Sequence, residues 1–388
     1  MKRSNILLFF IVWLSLHATA QTAGGFQISH GPYLQEVTVD GATFVFLTSD
    51  KSFSCIELKQ QGDASPVRYY HSRNGLRDAN NTFHAIRVEN LQAATNYEYR
   101  IVSKEMRSFE PYKVTFGDSI TSQWYPFQTV DPKKKGATLF VTSDTHSNAP
   151  KLESLLKQCD YKTCDAFFYA GDVMNYMNSE EAPFTSFIDT SVRLFASSIP
   201  FEVVRGNHET RGDMARTYPH FFPKKDGRIY GSHLLGDIMV VMLDCGEDKP
   251  DTHPVYAQLT DFDAYRTEQA EWLKQLVKTA EFKKATYRIV ISHFPMEIES
   301  DEYKQAVGHG LYDLQQKCLP ILNRANIDLM VSGHTHQFAF HESSAEGCRF
   351  PVLVGSNESA ARIHLRDGKI HIKAVDQKGN VLLDKELK

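Results

Sequence analysis

At Asp131-Pro132-Lys133-Lys134-Lys135-Gly136 the hydrophobic period of this chain changes, and that change limits the possible folds more than any other feature. Before it, between residues 26 and 130, short runs rich in β-branched and aromatic residues (43–48, 55–59, 82–88, 97–102 and 126–130) are broken by turns, and Asp40-Gly41 reads as a hairpin turn. Several strands in so short a span predict a β-sandwich. After it, apolar strands at 137–142, 165–170, 201–204, 288–291 and 327–331 alternate with helical segments near 151–158, 184–195, 269–277 and 311–323. That alternation predicts an α/β sheet layered with helices. Trp272 and its neighbours at helical spacing read as core, and the last forty residues return to short strands with Gly-bearing turns. The charged hexapeptide is the predicted linker. A length of 388 residues leaves room for two or three domains at ~150 residues each.

In the second block each apolar run stops at residues that bind metals or move protons. The ends are Ser143-Asp144-Thr145-His146, Gly171-Asp172, Gly206-Asn207-His208-Glu209, Ser292-His293 and Ser332-Gly333-His334-Thr335-His336. Ligands of open α/β sheets bind beyond the carboxyl ends of the strands, so these five ends converge despite their distance in sequence. The chain has sixteen histidines, and histidine is both the commonest transition-metal ligand and the usual proton shuttle near neutral pH. Carboxylate, imidazole and amide donors without thiolates suit Mn, Fe or Zn, and seven donors are too many for one tetrahedral ion. Two divalent metal ions account for the count. Such a pair, roughly 3.5–4 Å apart and bridged by a carboxylate and a hydroxide, clamps both sides of a phosphoryl centre. Isolated histidines such as His84, His364 and His371 read as hydrogen-bonded structural residues.

The ordered series Asp144-x-His146, Gly171-Asp172, Gly206-Asn207-His208-Glu209, His293 and Gly333-His334-x-His336 resembles the calcineurin-like metallophosphoesterases. The resemblance spans residues 136–376 and implies a four-layer α/β (α+β layered) domain. It implies that Asp144, His146 and His336 hold one metal, that Asn207, His293 and His334 hold the other, and that Asp172 bridges them. His208 would contact the phosphate and protonate the leaving oxygen. Neutral Asn207 limits the negative charge around the pair and keeps it electrophilic towards an anion. Glu209 reads either as a residue orienting His208 or as a surface carboxylate at a helix start.

Residues 91–99 resemble the loop-to-strand corner of fibronectin type III-like domains, in which a tyrosine, here Tyr97, ties the loop back to the sheet. A fibronectin-like sandwich over residues 26–130, ahead of this catalytic domain, resembles the purple acid phosphatases. The local residues depart from that subgroup: His146 is present, and three residues after Asp172 stands Asn175, with Tyr176 one further on. The departure implies a colourless divalent pair, with Tyr176 lining the pocket. His253 and His309 are further candidates to reach substrate, against a default of solvated loop residues.

Basic Lys2 and Arg3, an apolar run over residues 6–16, and Ala18-Thr19-Ala20 form a secretory signal pattern over residues 1–20, with cleavage expected after Ala20. About eleven apolar residues fall short of the ~20 that span a bilayer. The expected product is exported, periplasmic or secreted. Six cysteines form no disulfide framework; Cys159 and Cys164 either pair or pack as small hydrophobes. A formal charge of −4 offers no broad cationic surface for nucleic acid. Together these readings imply a metal-dependent phosphoesterase acting on small phosphorylated substrates, monoesters foremost, by attack of a metal-bridging hydroxide with His208 as proton donor. A phosphodiesterase or nucleotidase on the same site, and a non-catalytic extracellular binding protein, are the alternatives.

Overall fold

A computed structural model describes residues 25–296 and 308–387. The predicted leader at residues 1–20 lies outside them, as does most of the loop between Met296 and Gly310. The first block is built from β1 (Ile28–Gln35), β2 (Gly41–Gln60), β3 (Asn81–Glu89), β4 (Asn96–Glu110), β5 (Lys113–Thr121) and β6 (Tyr125–Gln128). What reads as two strands at 43–48 and 55–59 is one: β2 runs through an irregular stretch, so that its first half pairs with β1 and β3 and its second half with β4. A single bent strand thus serves both layers of the sandwich. Between them lie Leu34, Phe44, Phe46, Ile56, Ile86, Tyr99, Ile101 and Phe127. The β1–β2 connection is a longer loop than the Asp40-Gly41 reading implies: Glu36 takes a left-handed φ of 46°, and Thr38 N–H donates to the Gly41 carbonyl at 2.8 Å. Tyr97 does tie the corner down, its hydroxyl accepting from Gln92 N–H at 2.9 Å.

The second block stacks two six-stranded sheets. The first contains β7 (Ala137–Thr142), β8 (Ala166–Tyr169), β9 (Phe201–Val203), β16 (Ser359–Arg366), β17 (Lys369–Asp376) and β18 (Val381–Leu387), in the order β9-β8-β7-β16-β17-β18. The second contains β10 (Gly231–Leu235), β11 (Ile238–Leu243), β12 (Tyr287–Ser292), β13 (Leu329–Ser332), β14 (Ala339–His341) and β15 (Val352–Val354), in the order β10-β11-β12-β13-β15-β14. Strands β7, β8 and β9 are mutually parallel, as are β11, β12, β13 and β15. Parallel strands are covered on both faces, which is why they are apolar throughout.

The alternation of side chains along each strand divides the core. Leu139, Val141 and Phe168 of the first sheet meet Val240, Ile289, Ile291 and Val331 of the second. Their neighbours point outward: Phe140, Phe167 and Tyr169 pack under α1 (Ala149–Gln158) and the helical turns of residues 184–196. On the far side, Val241, Val290 and Met330 pack under α2 (Phe262–Leu276) and α3 (His309–Leu322). Helix, sheet, sheet, helix is the expected four-layer order. The hairpin of β10 and β11 was not anticipated from sequence, although Gly236-Asp237 between two strand-forming runs is a turn signal, and Gly236 has the positive φ, 60°, that a tight hairpin demands.

The sandwich shares its packing with the second block. Tyr33, Val45 and Leu47 join the cluster that holds Phe201 and Phe221. Tyr33 Oη donates to the Phe221 carbonyl at 2.8 Å and Tyr99 Oη to the Ser197 carbonyl at 2.9 Å. The linker is pinned, with Gly136 N–H on the Asp237 carboxylate at 2.8 Å and Lys134 on Asp165 at 2.6 Å. Among the described residues no helix is long and apolar enough to cross a membrane. All six cysteines are buried and outside any disulfide, and Cys159 and Cys164 occupy the same core cluster, where burial pushes their thiols up to about 12 and about 11.

Candidate metal centre

The carboxyl ends of β7, β8, β9, β12 and β13 open onto one crevice between the two sheets, and the chain turns sharply as it leaves each strand. Asp144 (φ 55°), His146 (50°), Asp172 (53°), His334 (72°) and His336 (57°) all sit in the left-handed region that side chains rarely adopt. Such strain persists only where the surroundings impose it, and it gathers at functional sites. Here it aims five donor side chains at one space. Glycine is required beside them: a Cβ on Gly171 would lie 2.6 Å from the His293 ring, and one on Gly333 would collide with the Asp144 carboxylate and Ser143 Oγ.

Three groups of donor atoms result, each within 4.8 Å: Asp144, His146 and His336; Asp172, His293 and His334; and His146, Asp172 and His208. The first contains the residues that the resemblance assigns to one metal; the second joins His293 and His334, assigned to the other, to Asp172 and leaves out Asn207; His146 and Asp172 recur in the third. His146 Nε2 and His336 Nε2 lie 2.9 Å apart, with Asp144 Oδ1 3.3 Å from the latter. His293 donates Nδ1–H to the Ala170 carbonyl at 2.9 Å, which leaves Nε2 facing Asp172 Oδ2 at 3.1 Å. Asn207 is buried, and its Oδ1 has no hydrogen-bond partner among the described residues. A buried acceptor without a donor is costly. A cation beside it removes that cost, so the donor set fits a pair of divalent ions.

The electrostatics agree. Burial opposes the charge on His293, but Asp172 and Asp144 outweigh it and hold the imidazole up at about 10. Burial likewise opposes the charge on Asp172, yet His293 and His208 keep that carboxyl well below its usual range. His334 is pushed down to about 4 by burial and by the neighbouring His293. The two carboxylates draw positive charge into a buried space, so a metal ion there would take the place of the His293 proton, while His334 is held neutral and able to donate its lone pair.

His208 begins a short helical turn after β9. Its backbone N–H donates to Asp172 Oδ1 at 3.0 Å, and its Nδ1 lies 3.0 Å from the Asn175 carbonyl. Glu209 fits neither reading made from sequence. It is fully buried, and its carboxylate is taken up by backbone N–H groups of Gly206 (2.8 Å), Asp172 (2.9 Å) and Met174 (3.0 Å). Burial and the adjacent Asp172 raise it to about 7. Its role is to fasten the two turns that present Asp172 and Asn207.

Asn175 donates its side-chain N–H to the His146 carbonyl at 3.1 Å, and Tyr176 is half exposed with its ring 5.9 Å from that of His208. His309 lies instead on Asp263 of α2, at 2.9 Å, and His253 Nδ1 caps its own turn by accepting from Val255 N–H. His84 bonds to Ser52 at 2.8 Å inside the sandwich, His364 to Thr138 at 2.8 Å and His371 to Asp384 at 2.6 Å.

A sixth strand end went unread. After β11, Glu247 takes a bidentate contact from Arg211 (both 2.9 Å) and the Thr210 hydroxyl at 2.9 Å, which clamps the segment following His208. Buried Arg266 of α2 holds the Glu247 carbonyl at 2.8 Å. The signal was the apolar run Ile238–Leu243 ending in Asp244.

The family model for calcineurin-like phosphoesterases matches residues 137–338, more than half of the chain. A purple acid phosphatase isolated from yellow lupin (Lupinus luteus) seeds superposes with a TM-score of 0.68 at 12% identity, covering 92% of this chain and 73% of that one. PhoD superposes at 0.60 and 10% identity, covering 92% and 94%. No curated protein matches in sequence. At such identities the superpositions speak for the fold, sandwich included, and the family match speaks for the site-bearing domain. The chain therefore belongs to the calcineurin-like phosphoesterase family.

Proposed function

We propose that this member of a metal-dependent phosphoesterase family is an exported phosphatase that hydrolyses small phosphate monoesters, with Asp144, His146, Asp172, Asn207, His293, His334 and His336 as its metal ligands and His208 as its proton donor. The observation that carries the reading is the gathering of the Asp144–His146–His336 and Asp172–His293–His334 donors, each group within 4.8 Å, supported by a buried Asn207 oxygen that has no hydrogen-bond partner among the described residues. Mn, Fe or Zn suits these nitrogen and oxygen donors, and the pair, when bound, supplies Lewis acidity towards phosphoryl oxygens and a nucleophile near neutral pH.

The chain's own contribution is orientation and a proton. With Nδ1–H of His208 donated to the Asn175 carbonyl, Nε2 faces the crevice 3.9 Å from Asp172 Oδ2. Hydrolysis adds water across the P–O bond: the phosphoryl group takes the hydroxyl, and the departing alkoxide takes the proton that imidazolium Nε2 presents. The contacts that Glu247 accepts from Thr210 and Arg211 hold the segment that follows that ring.

The deciding assay offers p-nitrophenyl phosphate and bis(p-nitrophenyl) phosphate to the purified protein, after EDTA and again with Mn, Zn or Fe restored. Metal-dependent turnover favouring the monoester, with no visible charge-transfer band, is expected. Preference for the diester refutes the monoesterase reading, and no turnover of either ester with any metal refutes phosphatase function.

A further inference from the structure

Beside the proposed centre, on the His208 side, lies a cavity of about 590 Å³ whose wall includes Tyr176, Arg211, Arg216, Lys249, Val255 and Leu259. Tyr176 links the two spaces, since its ring lines the cavity and also stands 5.9 Å from that of His208. A proton handed from His208 goes to the leaving oxygen, so the group attached to that oxygen must extend past His208, where Tyr176 and the cavity stand.

The lining has two unusual properties. Tyr176, Val255 and Leu259 are 50%, 67% and 68% exposed, an apolar surface gathered in one place that water covers poorly. The cations differ in how they are held. Arg211 is paired with Glu247 at 2.9 Å and Lys249 with Asp248 at 2.9 Å, but Arg216 has no ion-pair partner among the described residues and donates to the Leu259 carbonyl at 3.5 Å. An unpaired guanidinium beside exposed apolar side chains matches a planar group that carries its own negative charge.

We propose that this cavity is the leaving-group subsite, and that the preferred substrates are phosphomonoesters of a planar, apolar alcohol bearing an additional anionic substituent. Tyr176 and Leu259 contact the flat face of that group and Arg216 pairs with its anion. The proposal rests on the phosphomonoesterase reading above and adds a substrate class to it.

The test measures kcat/KM for phenyl phosphate, 3-carboxyphenyl phosphate and glycerol 2-phosphate with the metal-loaded full chain and its Arg216→Gln and Tyr176→Ala variants. Each value is expressed as a ratio to the unaltered protein, which cancels the intrinsic reactivity of the esters. Arg216→Gln should lower the carboxylated ester about fivefold more than phenyl phosphate, the scale of a partly solvated ion pair. Tyr176→Ala should lower both aryl esters about fivefold more than glycerol 2-phosphate, the scale of an aromatic contact. If both variants shift all three esters by the same factor, the subsite is overturned while the phosphatase reading stands. If the unaltered protein turns over none of the three, the phosphatase reading falls and takes the subsite with it.

Discussion

Replacing Glu209 tests whether the proposed metal centre depends on a carboxylate outside its donor set. Its side chain is fully buried and accepts three backbone N–H groups, from Gly206, Asp172 and Met174 at 2.8, 2.9 and 3.0 Å. Glu209→Ala leaves those donors facing a cavity. A buried donor without a partner costs ~1–3 kcal/mol, so three of them set a gross loss of ~3–9 kcal/mol. Removing a carboxylate that burial and Asp172 disfavour returns part of this, and a net destabilisation of ~2–4 kcal/mol is expected. Glu209→Gln keeps one acceptor oxygen, enough for the Asp172 and Gly206 donors, but turns an amide N–H2 towards Met174 N–H; it should cost ~1–2 kcal/mol. Because these donors belong to the turns presenting Asp172 and Asn207, metal affinity should fall ~10–100-fold in the alanine variant, as it does when groups that orient metal ligands are removed. Urea unfolding at pH 7, with metal titration on the folded protein, reads both quantities. An alanine variant with an unchanged midpoint and unchanged metal affinity would show that the turns hold themselves and that this reasoning is wrong.

Other perturbations probe separate links. Gly333→Ala should abolish metal binding while leaving the circular dichroism spectrum native, because its Cβ collides with the Asp144 carboxylate and the neighbouring Ser143 side chain at the strand end; full metal content in this variant would refute the packing argument. Tyr97→Phe should cost ~1 kcal/mol in urea unfolding by leaving Gln92 N–H without its acceptor, and an unchanged midpoint would refute that role. His30 joins the sandwich to the catalytic block through Asp189 (3.0 Å) and Glu181 (2.8 Å), and chiefly the hydrogen bond it donates to Asp189 raises its pKa. A raised histidine contributes stability that is complete below its unfolded value of ~6.5 and disappears as pH rises through the folded value. His30→Ala should therefore cost ~1 kcal/mol more at pH 5.5 than at pH 9, given partly exposed partners, on top of a pH-independent loss of its stacking on Phe184. A loss that does not change with pH would assign His30 a packing role alone.

The legible part of this chain is local chemistry repeated in order. Apolar runs of strand length ending in Asp, Asn and His announce which strands reach the site and which donors they bring, because only strand ends can place such residues in a shared crevice. Tyr97 was legible for the same reason, since its corner closes over five residues. The unity of β2 was not: exposed polar residues 49–51 resemble a turn, and only pairing with β1, β3 and β4 keeps the backbone extended through them.

Burial is where the sequence by itself falls short. Glu209 looks like a solvated carboxylate, and it is the enclosure of its side chain by the turns after β8 and β9 that makes it a fastener. Arg266, on a helix far along the chain, becomes a support for Glu247 in the same way. The sandwich and the catalytic block appear in sequence as units separated by a charged linker, yet Tyr33, Val45 and Leu47 complete a core begun by Phe201 and Phe221. Donor identity is a property of single residues and travels with the sequence. Solvent exposure, pKa and the cavity beside His208 are properties of what surrounds a residue, and tertiary packing alone decided those.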